Sequence, residues 1–326
     1  MSRINTKSEI EKLFSHPVTV AGNQITVSET KPDDNQRQTN KVFSTKWKAF
    51  DEQKDTDKLY SFQKDWYLQL YGFPSVKELQ AFLQTCDVIV DAGCGLGYKA
   101  AWFAMLAPDA LVIGIDYSDA AVQAAQRYCA VDNLYFIKGD IAQTGIVDGM
   151  VDYVNCDQVI MHTEDPEKTF SELVRIANAV TGQVACYFYA KKALPRELLD
   201  DFFRHECKNL TEEQLWTMSE QLTLLGKRLS ALEVEIDVPD IPALGIKGGR
   251  QDIQRFIYWN FAKCFWNEEL GQDTSTVTNF DWYSPSNAKR FSEQEILTLL
   301  SANNMEIETF HSEEACFSGR FKKISP

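Results

Sequence analysis

Three aspartates and one run of alternating glycines are the residues in this chain best placed to do chemistry. Asp91 opens the stretch Asp91-Ala92-Gly93-Cys94-Gly95-Leu96-Gly97, directly after the apolar run Val88 to Val90. Asp116 ends a second apolar run, "VIGID", and Asp140 ends a third, "FIKGD". Glycines at a strand-to-helix turn let backbone and helix N-terminus approach a ligand closely. The dinucleotide fingerprint spaces them G-x-G-x-x-G. Here the third glycine comes one residue early, and Tyr98 takes the expected place. A carboxylate at the strand end, facing the turn, repels a diphosphate and suits a ligand with a positive group. Asp116 can accept hydrogen bonds from both hydroxyls of a ribose. Enzymes that use nicotinamide dinucleotides place an acid there too, so Asp116 does not discriminate. Asp140 can accept an exocyclic amine of a nucleobase while Ile141 packs on the ring face. Any one of these acids alone is an ordinary helix cap or a solvated loop residue. Three of them in order, with one glycine turn, share a purpose.

The elements that must position them form a regular alternation. Strand "DVIVDAG" leads to helix "YKAAWFAML", and strand "ALVIGID" to helix "SDAAVQAAQRYCA". Strands "LYFIKGD" and "VDYVNCDQVI" follow, then a helix after Pro166 and a fifth strand, "GQVACYFYA". Strands alternating with helices predict a parallel sheet covered on both faces. Before it, "VTVAGNQITV" reads as a hairpin around Gly22-Asn23, and "SETKPDDNQRQTN" as a polar loop. Aromatics at helical spacing from Phe43 to Phe82 predict two helices that pack on a core and cover the site. From Leu194 to Arg290 the chain reads as helical, with "FDWYSP" (Phe280 to Pro285) as a loop. A last helix, "SEQEILTLLSAN", and two strands finish it. The boundaries expected are 1–83 for the N-terminal extension, 84–193 for the α/β core, 194–290 for a helical substrate-binding or lid insertion, and 291–326 for the closing helix and strands.

Bulk properties narrow the partners. The chain has 326 residues, 44% of them hydrophobic, enough for a sizeable core. Its formal charge of −14 repels phosphate backbones, and no basic patch stands out, so nucleic acid is not an expected partner. Eight scattered cysteines include no CxxC pair and suit a reducing compartment. The opening "MSRINTKSEIEKLF" has no apolar stretch of the signal-peptide kind, and no window approaches a membrane span. A cytoplasmic protein is expected, without a membrane partner and with a homodimer as one possible state.

"VIVDAGCGLG", "VIGIDYS", "GDI" and "DQVIMHTEDPEKTFSELVRI" together resemble the successive motifs of the class I, Rossmann-like S-adenosylmethionine-dependent methyltransferases. The resemblance covers about Cys86 to Ala190. It implies a seven-stranded sheet with its last strand antiparallel, helices on both sides, and S-adenosylmethionine as cofactor. That ligand carries an ammonium and a sulfonium and no phosphate, as Asp91 requires. The resemblance implies that Asp91, Gly93, Gly95 and Gly97 surround the methionine moiety, with Cys94 of the same turn also cofactor-binding. It assigns Asp116 to the ribose and Asp140 with Ile141 to the adenine, with Tyr117 among the cofactor-binding residues. Asp157 and Gln158, after the fourth strand, line the methyl-transfer site.

The acceptor side is less legible. Methyl transfer from a sulfonium is an in-line displacement that needs alignment, exclusion of water and, for some nucleophiles, a base. Of four histidines, His162 follows the fourth strand on the donor side. It is the candidate base, with Asp157 beside it, or a histidine that only bonds its own loop. Trp259, Asp281, Trp282 and Tyr283 are the candidate acceptor contacts. "HEC" at His205 to Cys207 lacks the further ligands of a metal site. The leading expectation is an enzyme that methylates a small molecule at oxygen, nitrogen or carbon. Methylation of RNA or protein, a dinucleotide oxidoreductase, and a non-catalytic binding protein of the same fold are the competing readings.

Overall fold

The computed structural model describes residues 7–27, 32–51 and 56–324. The chain divides into two compact units, Met1–Ala190 with Lys289–Pro326, and Lys191–Ala288.

The first unit begins with helix α1 (Lys7–Glu11) and a hairpin of β1 (Thr19–Ala21) and β2 (Gln24–Thr26). Helices α2 (Asp34–Asp51), α3 (Thr56–Leu70) and α4 (Val76–Leu83) follow. The expected polar loop Ser28 to Asn40 is therefore helical from Asp34 onward, and its residues 28–31 lie outside the described set. The alternating core then runs β3 (Val88–Ala92), α5 (Tyr98–Leu106), β4 (Leu111–Asp116), α6 (Ala120–Arg127), β5 (Leu134–Lys138) and β6 (Tyr153–Cys156). It continues through α7 (Pro166–Ile176) and β7 (Gln183–Tyr189).

One sheet carries nine strands in the order β1-β2-β5-β4-β3-β6-β7-β11-β10, where β10 is Met305–Ser312 and β11 Cys316–Lys323. The strands β5, β4, β3, β6 and β7 are parallel, and β11 runs antiparallel to both of its neighbours. The resemblance implied seven strands. The hairpin supplies the other two, because β2 pairs in parallel with β5, Gln24 opposite Phe136 and Ile25 opposite Ile137. This covers an edge that would otherwise present unpaired backbone groups. Every residue of β3 is buried, as a strand covered on both faces requires. Asp165 caps α7 by accepting from the Lys168 N–H, and Pro166 sits at its first position, where no donor is needed. Helix α12 (Glu293–Ala302) carries a capping box of Ser292 and Glu295.

The second unit holds α8 (Leu194–Cys207), α9 (Glu212–Ser230), α10 (Ile253–Asn260) and α11 (Gly271–Tyr283). It also contains an antiparallel pair, β8 (Glu235–Val238) with β9 (Gly249–Asp252), in a segment read from sequence as helical without strands. Helix α10 stops at Asn260, so "FIYWNFAKCFWN" is a short helix followed by irregular chain. The expected loop at Phe280 to Pro285 is instead largely the end of α11. Trp216 of α9 stacks on Phe280 of α11 with ring centroids 4.0 Å apart, and that burial favours the helix. No helix among the described residues is long and apolar enough to cross a membrane.

Candidate active site

The parallel strands bring their carboxyl ends to one edge of the sheet. Register places Asp91 beside Gly114 of β4 and Asn155 of β6. The strand order reverses beside β3, which makes this the topological switch point where open α/β sheets bind ligands.

The turn after β3 is built from backbone. Gly93, Gly95 and Gly97 have φ of 82°, 52° and 77°, conformations that a side chain resists. Space is short as well. A Cβ on Gly93 would lie 2.3 Å from a methyl of Val159, and one on Gly95 2.7 Å from the Trp47 ring of α2. Four amides of the turn are committed internally. Gly93 and Cys94 donate to the Ile115 carbonyl at 2.7 and 3.0 Å, Gly95 to Asp116 Oδ2 at 2.8 Å, and Gly97 to the Cys94 carbonyl at 2.9 Å. A diphosphate-binding turn aims such groups at its ligand. This one turns them inward.

Asp91 faces the opposite problem. Its Oδ1 accepts from Asn155 Nδ2 at 2.7 Å, while Oδ2 is buried with no hydrogen-bond partner. Burial pushes the carboxyl up to about 6, with Asp157 and Asp116 adding to the rise and Lys99 and the Asn155 bond opposing it. A buried carboxylate oxygen without a donor is costly. A ligand ammonium supplies the missing donor and charge, so the residues present fit the methionine end of S-adenosylmethionine.

The other expected donor contacts fall into two groups. Asp116 is raised by burial, and its oxygens already accept from Gly95 N, Ser118 N at 2.8 Å and Ser118 Oγ at 2.6 Å. With about four acceptor positions on a carboxylate, these bonds leave little room for two ribose hydroxyls. Asp140 accepts from the Ala142 N–H at 2.8 Å and is half-buried. Tyr117 is half-buried next to Asp116. Ile141, 6% exposed, packs within the core on the hairpin side of the sheet. The Cys94 thiol is pushed well up by burial and lies within reach of Gly114, beneath the turn.

At the end of β6, Asp157 is buried between Tyr71 and Lys99. Tyr71 donates to Oδ1 at 2.7 Å, and Lys99 pairs with Oδ2. Gln158 reaches Oδ2 at 3.4 Å and has a left-handed backbone, φ 63°. That conformation is uncommon outside glycine and concentrates at functional sites. His162 ends a short 3-10 turn (Ile160–His162) and is buried. The Phe43 ring meets it edge-on at 4.8 Å and the Tyr189 ring at 5.5 Å.

Sequence reasoning missed Lys99 and Asn155, and placed Tyr67 and Tyr71 only among the aromatics of the covering helices. Tyr67 donates to Asn155 Oδ1 at 3.0 Å and lies 2.6 Å from the Tyr153 hydroxyl, so a polar chain runs from Tyr153 through Tyr67 and Asn155 to Asp91. Burial pushes both Tyr67 and Tyr71 well up, so they stay protonated donors. Their four-residue spacing on α3 was the available signal, read as helices that pack on a core and cover the site, without a role for the hydroxyls. The candidate acceptor contacts Trp259, Asp281, Trp282 and Tyr283 all belong to the second unit. Trp282 and Tyr283 are buried there, and Trp259 is half-buried beneath the Lys192 ammonium, 5.4 Å from its ring.

The chain is similar to known methyltransferases. Residues 84–234 match a family model described as a methyltransferase domain. An uncharacterized methyltransferase of Schizosaccharomyces pombe is 29% identical over 114 residues, 32% of this chain and 41% of that protein. The demethylmenaquinone methyltransferase of Roseiflexus castenholzii is 27% identical over 111 residues, 34% of this chain and 46% of that protein. The matches span less than half the length of these curated relatives. Among solved structures, the magnesium protoporphyrin IX methyltransferase of Synechocystis, with S-adenosylmethionine bound, aligns with a TM-score of 0.46 at 15% identity, covering 90% of this chain and 100% of that one. Residues 84–234 of this chain match the methyltransferase-domain family, in keeping with the methyltransferase motifs that its sequence resembles.

Proposed function

We propose that the protein transfers a methyl group from S-adenosylmethionine to a small-molecule acceptor. The observation that carries this reading is the buried Asp91 carboxylate with one oxygen unpartnered, beside a turn whose amides point inward. The bound donor supplies an electrophilic methyl whose carbon–sulfur bond breaks with both electrons passing to sulfur. Asp91 holds the ammonium of the methionine end, and the glycine turn keeps the backbone clear of it. Trp47 and Phe43 of α2 exclude water above the turn and His162. Tyr71 and Lys99 fix Asp157 in one orientation. His162 takes the proton when the accepting nucleophile carries one, as a general base within its own turn. The formal charge of −14 and the acceptor named for one relative, demethylmenaquinone, favour a small molecule over RNA.

Calorimetric titration with S-adenosylhomocysteine and with NAD tests the donor assignment. Saturable binding of the first and none of the second is expected. Binding of NAD alone would end the proposal. His162→Asn should leave homocysteine-nucleoside affinity within about 0.5 kcal/mol of wild type, because His162 serves the acceptor side.

A further inference from the structure

The second unit contains a charged cluster that the donor site does not use. Arg196 and Asp200 on α8 pair at 2.8 Å and are almost fully buried. Asp200 also accepts from Trp282 Nε1 at 2.8 Å. Arg196 donates to the Tyr258 carbonyl, and Arg204 Nε to the Trp282 carbonyl at 2.9 Å. The Arg196–Asp200 pair is thus matched in charge.

Lys263 is different. It follows α10, is 7% exposed, and its Nζ lies 4.3 Å from the centroid of the Trp282 ring. Its backbone N–H donates to the Tyr283 hydroxyl at 2.8 Å. No carboxylate oxygen among the described residues lies within ion-pair distance, 4.0 Å, of that Nζ. The charged groups that act on it are Arg196, Lys192, Asp281 and Asp200, with the Tyr283 hydroxyl adjacent. A buried ammonium whose nearest counterpart is an aromatic face is held there at a cost.

We infer that Lys263 is the anchoring cation of a binding site in the second unit for a small molecule bearing a carboxylate. Arg196, Arg204 and Lys263 all lie over the Trp282 ring; Arg196 is paired with Asp200 and Arg204 lies 3.8 Å from Asp201, which leaves Lys263 as the member of the three with no such ion pair among the described residues. A ligand carboxylate would give Lys263 the charge-assisted partner that the chain does not. Burial, followed by repulsion from Arg196, brings the empty-site ammonium down to about 7, so near neutrality it is poised between its two forms. An anion bound beside it favours the charged form and raises that value. This site stands on the second unit alone and goes beyond the donor reading.

The test uses the full chain and two probes, acetate and benzoate, with acetamide and benzamide as neutral controls. Amine-specific acylation is followed at Lys263 by peptide mass spectrometry at pH 7. Only the unprotonated amine reacts, so a rise of one pH unit in its titration slows labelling about fivefold. The expected result is slowing by at least one carboxylate, none by either amide, and loss of the carboxylate's thermal stabilisation in Lys263→Met. Should Lys263→Met fail to fold, Lys263→Arg keeps a cation and is expected to retain the thermal effect. Equal labelling rates with and without both carboxylates would overturn the inference, as would equal slowing by the amides. Homocysteine-nucleoside binding measured alongside separates the two claims: its absence in wild type counts against the donor site and leaves the Lys263 result standing.

Discussion

Asp91→Asn should weaken S-adenosylhomocysteine binding by about 10- to 100-fold while making the ligand-free protein more stable. The first effect follows from losing a charge-assisted hydrogen bond to the ligand ammonium, about 1.5 to 3 kcal/mol. The second follows from the same burial that creates the site. With the folded carboxyl at about 6 and an unfolded value near 4, the ionised side chain costs the fold about 3 kcal/mol at neutral pH. The sign is that of an acid raised on folding. Below about pH 4 both states are protonated and nothing is lost. Between about pH 4 and 6 the folded chain holds a proton that the unfolded chain has released, so stability falls as pH rises. Above about 6 the loss is complete. Asparagine removes the charge and keeps the shape, and its carbonyl can still accept from Asn155. Thermal melts at pH 7.5 should show the variant above wild type, with the gap closing toward pH 4. Wild-type donor affinity should itself decline as pH falls through about 6, since the protonated carboxyl no longer balances an ammonium. An Asn variant with unchanged affinity would remove Asp91 from the site.

Asp200→Ala carries the second large effect, on stability. Asp200 is fully buried and accepts from both Arg196 Nε and Trp282 Nε1. Its removal leaves the Arg196 guanidinium, 1% exposed, without a counter-charge. Breaking a buried ion pair from one side costs about 3 to 5 kcal/mol, and the unmet indole N–H adds to this. Near-ultraviolet circular dichroism reports the packing of Trp282, and chemical denaturation reports the free energy. The paired variant Arg196→Met/Asp200→Leu should recover most of the loss, because no charge is then left buried. A single variant within about 0.5 kcal/mol of wild type would mean that water already reaches the guanidinium.

How much of this could be read from sequence differs by element. The core sheet was legible because a strand buried on both faces must be a short apolar run, as "VIVDA" is, and because helices fill the gaps between such runs. Asp91 was legible as an acid out of place at the end of that run. The polar chain behind it was not. Tyr67 sits 88 residues before Asn155 and Tyr71 86 before Asp157, and aromatic rings four apart on a helix look the same whether their hydroxyls are used or idle. Lys99, one residue beyond Tyr98, carried no periodic signal. Asp116 was read as open to a ligand, whereas Ser118 two residues on takes much of its capacity by a local turn. In the second unit, Ser284 and Pro285 suggested a loop, but packing of Phe280 on Trp216 carries the helix to Tyr283. β8 and β9 were hidden because each is only four residues long: Glu235 to Val238 alternates, with Ile236 and Val238 facing inward, but too briefly to mark a strand, and Gly249 to Asp252 has no apolar side chain at all. The edge pairing of β2 with β5 depends on tertiary contact that no local pattern encodes.

The most direct measurement is a crystal structure of the full chain with S-adenosylhomocysteine bound. The expected result is the homocysteine ammonium within about 3 Å of Asp91 Oδ2, the oxygen that otherwise has no partner. A ligand seated elsewhere, or an Asp91 side chain whose Oδ2 turns to a protein donor while the ammonium binds another residue, would contradict it.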